Sequence, residues 1–337
     1  MVYLCIFIAL LCLAVKGYCG KKISVYVGGT GDSFLFNLAR MIFCIIIGVA
    51  VVFMEGAGGE LYVEMRMLCI CLLAGAANTA FLVGWLLAVQ RNAMVTVDVT
   101  LTLGSLIPAV LCAMLFGEAM SWQKMIGFAL ILAAALILAG YNKSAGVKAS
   151  PRGVLFLLLA AAGDGITGFC QQLYKQYYTE SGDLTHGVFY SNSVYQFYTF
   201  VFAALILLAV FVCYSLYKYI KSPAEEQGGN EGNEKNEKNQ KRKQAKQFLL
   251  RTAVLPLRRP LPHIVVMAVC LFAASYFQTV ATGVYGMSSQ ILYPVIKGGC
   301  LITVNITAML FFGEKPTRRS ILGSLVALGG IVAMNVL

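Results

Sequence analysis

The chain has 337 residues, of which 59% are hydrophobic and only 12% charged, with a mean hydropathy of +0.77. A soluble domain carries about 25% charged residues, so half that density excludes a water-soluble particle of this size and points to a polytopic membrane protein. At about 20 apolar residues per span, ten spans with short loops fit the length and leave no room for a sizeable soluble domain. The net charge of +11 is read as loop charge held on the cytoplasmic side of a membrane, not as a nucleic-acid surface.

Ten apolar segments follow in chain order: 2–15, 34–53, 67–89, 93–116 and 125–141, then 154–174, 188–214, 264–285, 290–312 and 321–337. Continuous apolar runs without strand-like alternation select helices over a barrel, so the fold class is an all-α polytopic membrane protein. Segment 1 has no basic residues ahead of it and no small-residue cleavage site, and reads as a retained helix. Lys16 interrupts it early, and the helix can continue towards Lys21 as an amphipathic end facing a cavity. The eleven cysteines fall mostly inside apolar runs and read as small hydrophobes. Residues 218–262 differ in kind: Glu, Lys, Asn, Gln and Gly dominate, with little to bury, so a disordered loop is expected. Its basic run 241–246 suits a solvated linker or anionic lipid headgroups.

The two halves repeat. Gly17-Tyr18-Cys19 returns as Gly168-Phe169-Cys170 and Gly31-Asp32 as Gly182-Asp183, both 151 residues later. Phe116-Gly117-Glu118 returns as Phe312-Gly313-Glu314 and Gly127 as Gly323, both 196 residues later. The two offsets differ by 45 residues, about the length of the charged loop. The reading is a first repeat over 1–142 and a second over 153–337, with 218–262 inserted in the second. Five segments per half is an odd number, so the second copy enters the membrane upside down. Inverted repeats of this kind underlie alternating access.

The Ala113-Met-Leu-Phe-Gly-Glu118 and Ala308-Met-Leu-Phe-Phe-Gly-Glu314 ends, each followed by a helix carrying Gly127 or Gly323, resemble the EamA repeat of the drug/metabolite transporter superfamily. The resemblance covers nearly the whole chain outside the charged loop. It implies ten helices in two halves, and carriage of small metabolites, amino acids, amines or drugs, often outward. It also implies a central cavity lined by segments 1, 3, 4, 6, 8 and 9. Independently, Glu118 and Glu314 each follow a long helix and precede another, where a carboxylate can accept from free backbone amides. They are read as structural.

Four charges fall inside apolar segments: Arg40, Asp98, Asp164 and Lys297. Each costs about 2.5–3.5 kcal/mol at the bilayer centre on insertion scales, which makes intramembrane charges functional candidates. The 196-residue register sets Asp98 against Pro294 and Leu101 against Lys297, one turn apart. An Asp98–Lys297 pair is therefore expected to line the cavity as a substrate or proton site, or to serve as a static ion pair. Asp164, between Gly163 and Gly165, is a second proton candidate. Arg40 lies one or two turns into segment 2 and is read as snorkelling to the interface. Asn78, Tyr276, Gln278 and Tyr293 are further candidates, or ordinary interhelical glue. Pro294 is the expected helix irregularity that frees a backbone carbonyl.

Alternate loops carry 21 of the 26 Lys and Arg against 3 on the opposite face. That places both termini outside, whereas the family resemblance implies cytoplasmic termini. No phosphate-binding loop, zinc-ligand spacing or nucleophile elbow appears, and the two histidines, His186 and His263, lie near segment ends. No cofactor is indicated and an enzyme is the poorer reading. A carrier in the plasma membrane, of bacterial inner-membrane type, is expected. Its partners are a small-molecule substrate, membrane lipids and, if a carboxylate carries one, a proton. A channel or a non-transporting scaffold is the alternative.

Overall fold

The computed structural model describes residues 1–92, 94–117, 121–139, 150–180, 182, 184, 187–221, 259–313 and 318–336. Helices account for nearly all of them. They are α1 (Val2–Ser24), α2 (Thr30–Met54), α3 (Met65–Arg91), α4 (Met94–Gly104), α5 (Leu106–Phe116), α6 (Trp122–Ala139), α7 (Pro151–Tyr178), α8 (Asn192–Lys221), α9 (Leu261–Gly283), α10 (Ser289–Phe312) and α11 (Arg318–Val336). A short 3-10 turn, Ala57–Leu61, follows α2. Among the described residues, eight helical spans are long and apolar enough to cross a membrane, with α4 and α5 forming one of them. The apolar stretches of α6 and α11 are shorter. Large apolar side chains such as Phe7 and Leu11 on α1, Leu155 and Leu158 on α7, and Leu205 and Leu208 on α8 face outward. In water such a surface would aggregate; in lipid it is the expected exterior. The chain is an all-helical, multi-pass membrane protein.

The one break inside a span falls at Ser105. Pro108, three residues on, has no amide hydrogen to give the Gly104 carbonyl, and the chain divides into α4 and α5 there. Ser105 turns its hydroxyl onto the Thr102 carbonyl at 2.6 Å. The irregularity expected at Pro294 is weaker than the sequence suggests: α10 runs continuously through it. Pro294 is only the sixth residue of that helix, close to the turn whose amides lack intrahelical acceptors anyway.

Helices contact one another in a symmetric order. α3 packs on α7, as α1 does on α9; α2 packs on α8, and α6 on α11. α4 and α5 lie against α7, as α1 lies against α10. At two crossings a glycine brings its helix against the backbone of the next. A Cβ on Gly163 of α7 would sit 2.5 Å from the Ala77 carbonyl oxygen of α3, and one on Gly330 of α11 would sit 2.7 Å from the Gly127 carbonyl of α6. Small residues at such crossings let backbones meet when lipid supplies no hydrophobic drive between helices.

At one end of the bundle Lys21 donates to the Val89 and Asn92 carbonyls, and Gln90 donates to the Val27 carbonyl. Loops 1–2 and 3–4 therefore meet on one face. At the other end the segment after α2 is tied down by carboxylates. Glu55 accepts from Ser193 at 2.5 Å and from Tyr276, Glu60 accepts from the Ser191 amide, and Glu64 accepts from Tyr178. Gly117 and Gly313 end their helices with the same left-handed backbone, φ 63° at each. This is the usual glycine stop. Glu118, Glu314, Asp183 and the charged loop from 222 to 258 lie outside the described residues.

Candidate functional site

A polar central cavity of about 80 Å³ lies within the bundle, room for a few water-sized groups. Its walls come from α1, α3, α4, α7, α9 and α10. Asp98, Asp164, Lys297, Asn78, Gln278 and Tyr293 all line it. Tyr276 does not: its hydroxyl reaches Glu55 at the tied-down end of the bundle.

The ion pair differs from the expected one. Lys297 Nζ lies 2.5 Å from Asp164 Oδ2, with side chains 13% and 18% exposed. The register argument set Lys297 one turn from Asp98, but α7 presses so closely on α3 and α4 through Gly163 and Gly165 that its intervening residue, Asp164, is carried to the cavity wall first. Asp98 shares the cavity and has no ion-pair partner among the described residues. Its backbone carbonyl accepts from Thr102 at 2.9 Å.

Lys16 is a cavity residue, on the helix continuation towards Lys21 that the sequence allows. α1 does not stop at Val15 but continues to Ser24, so Lys16 is 5% exposed. Its ammonium lies 4.9 Å from the Phe81 ring and 5.0 Å from the Trp85 ring, an arrangement that stabilises a cation away from water. The signal was present: 16 plus the 151-residue offset is Thr167, and both positions line the cavity.

Arg40 is a correction of another kind. It does not snorkel. α2 begins at Thr30, so Arg40 stands about 15 Å along it at 1.5 Å per residue. It shares the inward stripe of Ser33, Asn37 and Cys44, and is 2% exposed.

Towards the tied-down end, a chain of polar contacts closes beneath the cavity. The Tyr293 hydroxyl lies 2.5 Å from Gln171 Oε1 and 2.8 Å from the Gly168 carbonyl. Gln171 donates to the Thr279 hydroxyl at 3.3 Å, Gln196 donates to the same hydroxyl at 2.6 Å, and Ser275 donates to Gln196 at 2.8 Å. Four helices, α7, α8, α9 and α10, meet in this network. Gln196 gave no sequence signal, since a lone glutamine in an apolar span looks like any other polar packing residue.

No protein-family model matches the chain, and no curated protein matches it. Twenty-eight solved chains match it in structure. One of them, a crystal structure of a protein, superposes with a TM-score of 0.64 over 99% of this chain and 96% of its own, at 13% sequence identity. At that identity the likeness is one of fold, and it extends over the whole helical architecture.

Proposed function

We propose that the chain is a secondary carrier, of the drug/metabolite transporter type with two inverted EamA-like repeats, that moves a small metabolite, amino acid, amine or drug across the plasma membrane by alternating access. The observation that carries this reading is the central cavity. Two carboxylates and two ammonium groups face one small space in the middle of a lipid-embedded bundle, where charge is costly unless it serves binding or pairing.

The inverted repeat is supported in three ways. Exchanging each span with the one five later turns the α3–α7 contact into the α9–α1 contact, and leaves the α2–α8 and α6–α11 contacts as they are. The motif glycines Gly117 and Gly313 share one backbone conformation. Repeat-equivalent positions line the same cavity: Leu13 with Asp164, Asn78 with Ala274, and Leu101 with Lys297. In each of these pairs the polar or charged member has an apolar counterpart, so a symmetric frame holds an asymmetric site.

The Lys297–Asp164 pair orders the cavity wall. Asp98, which has no ion-pair partner among the described residues, is the group assigned to take a substrate cation or a proton, and Lys16 the group assigned to an anionic substrate moiety. The test is counterflow in proteoliposomes containing the purified chain, screened against amino acids, amines, nucleosides and sugars. Saturable uptake driven by the same unlabelled solute inside supports the carrier. An ohmic current with no saturation would make the chain a channel, and no flux for any class would leave a scaffold.

A further inference from the structure

A second charged site lies apart from the central cavity, and the proposed transport cycle does not use it. Arg40 is 2% exposed in the middle of α2. Its Nη2 donates to Asn37 Oδ1. Asn37 is fixed in that orientation, because its own amide nitrogen donates to the Leu82 carbonyl at 3.2 Å and lies 3.4 Å from the Ser33 hydroxyl. Arg40 Nε and Nη1 meet no acceptor among the described residues.

Arg40 lines a cavity of about 10 Å³ with Ile23 of α1, Phe36 and Asn37 of α2, Leu86 of α3, and Ile264 and Met267 of α9. That is the space open to the centre of a water-sized sphere, so one water or one small ion is the most it holds. The wall holds no carboxylate, and the nearby Cys44 thiol is already turned to the Ala268 carbonyl, 3.5 Å away. Among the described residues in the middle of the spans, Lys16, Arg40 and Lys297 stand against Asp98 and Asp164, an excess of one positive charge. A water could accept from the two idle N–H groups. Only an anion would also balance the charge, and an uncompensated buried ion is strongly destabilising.

We infer that this junction of α1, α2, α3 and α9 binds one small monovalent anion of halide size, held by Arg40 Nε and Nη1. The site is structural: it neutralises the guanidinium and fastens α2 to its three neighbours, whatever the central cavity carries.

The experiment uses the full-length purified chain in detergent. Thermal unfolding is followed at constant ionic strength while chloride replaces gluconate, an anion too large for the cavity. Chloride and bromide should raise the midpoint by about 2–4 °C at a few times the dissociation constant, and the rise should grow only logarithmically with concentration beyond that. Arg40→Met should lose that rise. Should the variant fail to fold, wild-type crystals grown in bromide decide, since an anomalous peak beside Arg40 is required. Equal midpoints in chloride and gluconate, no peak beside Arg40, or a chloride effect that survives Arg40→Met overturns the proposal. None of these results depends on finding a transported solute.

Discussion

At the scale of single residues, the decisive fact is that five charges sit where lipid surrounds the bundle, and they are not equivalent. Lys297 and Asp164 form a close pair. Removing one partner strands the other in a low-dielectric place, which costs about 3–5 kcal/mol in buried pairs, whereas replacing both with neutral groups is often close to neutral. Asp164→Asn should therefore destabilise the protein clearly more than the double variant Asp164→Asn/Lys297→Met, as read by thermal unfolding in detergent. If the double variant is the less stable one, the pair is not the self-contained unit described. Asp98 faces the cavity and has no such partner among the described residues. A hydrogen bond to a charged group contributes about 1.5–3 kcal/mol, so Asp98→Asn should weaken solute affinity by about 10–150-fold with little change in unfolding temperature. Unchanged counterflow kinetics in this variant would remove Asp98 from the site. The charges inside the apolar runs were visible in the sequence because charge in such runs is rare. Their pairing was not, because it depends on how near α7 approaches α4. Lys16 was legible in part: the sequence lets the first helix continue past it towards a cavity, but gives no sign of the Phe81 and Trp85 rings beside its ammonium.

At the scale of elements, the bundle depends on glycines that let backbones touch. Gly330 and Gly329 are neighbours on α11 and make opposite predictions. A Cβ on Gly330 would lie 2.7 Å from the Gly127 carbonyl, while nothing lies within 4 Å of one on Gly329. Gly330→Ala should cost about 1–3 kcal/mol through overpacking. Gly329→Ala should be neutral or stabilise by up to about 1 kcal/mol through helix propensity. Gly163→Ala should behave like Gly330→Ala, because its Cβ would press on α3 backbone at 2.5 Å. A melting series on the three variants checks this, and similar melting temperatures for all three would show that α6–α11 and α3–α7 are not packed as described. Helix existence was legible in the sequence, since long apolar runs allow little else in lipid. Helix ends were less so: α1 extends nine residues beyond Val15. The break at Ser105 was not legible either, since both Pro108 and Pro294 sit in long apolar runs and only the helix beside Pro108 divides.

At the scale of the whole molecule, the proposed ten-span carrier has α9, α10 and α11 all crossing, which puts the loop between α8 and α9 and the C-terminus on opposite faces of the membrane. Reporters placed within residues 222–258 and after Leu337 should therefore report opposite compartments. Finding both on one side would mean an odd number of spans between them fewer or more than described. The same pair of reporters decides the orientation on which Lys and Arg distribution and family resemblance disagree. In the sequence the proposed repeat shows only as a few short matches at two constant offsets. In three dimensions those offsets bring matched positions from the two halves, such as Leu13 and Asp164, to the wall of one cavity. The substrate was not legible, because charges and amides in a small space describe a chemical class rather than a compound.

The central claim is that this cavity is a carrier's binding site. Counterflow into proteoliposomes tests it most directly, with wild type and Asp98→Asn compared on the same solute panel. The account predicts saturable, solute-specific counterflow that the substitution weakens. Flux that neither saturates nor responds to Asp98→Asn would contradict it.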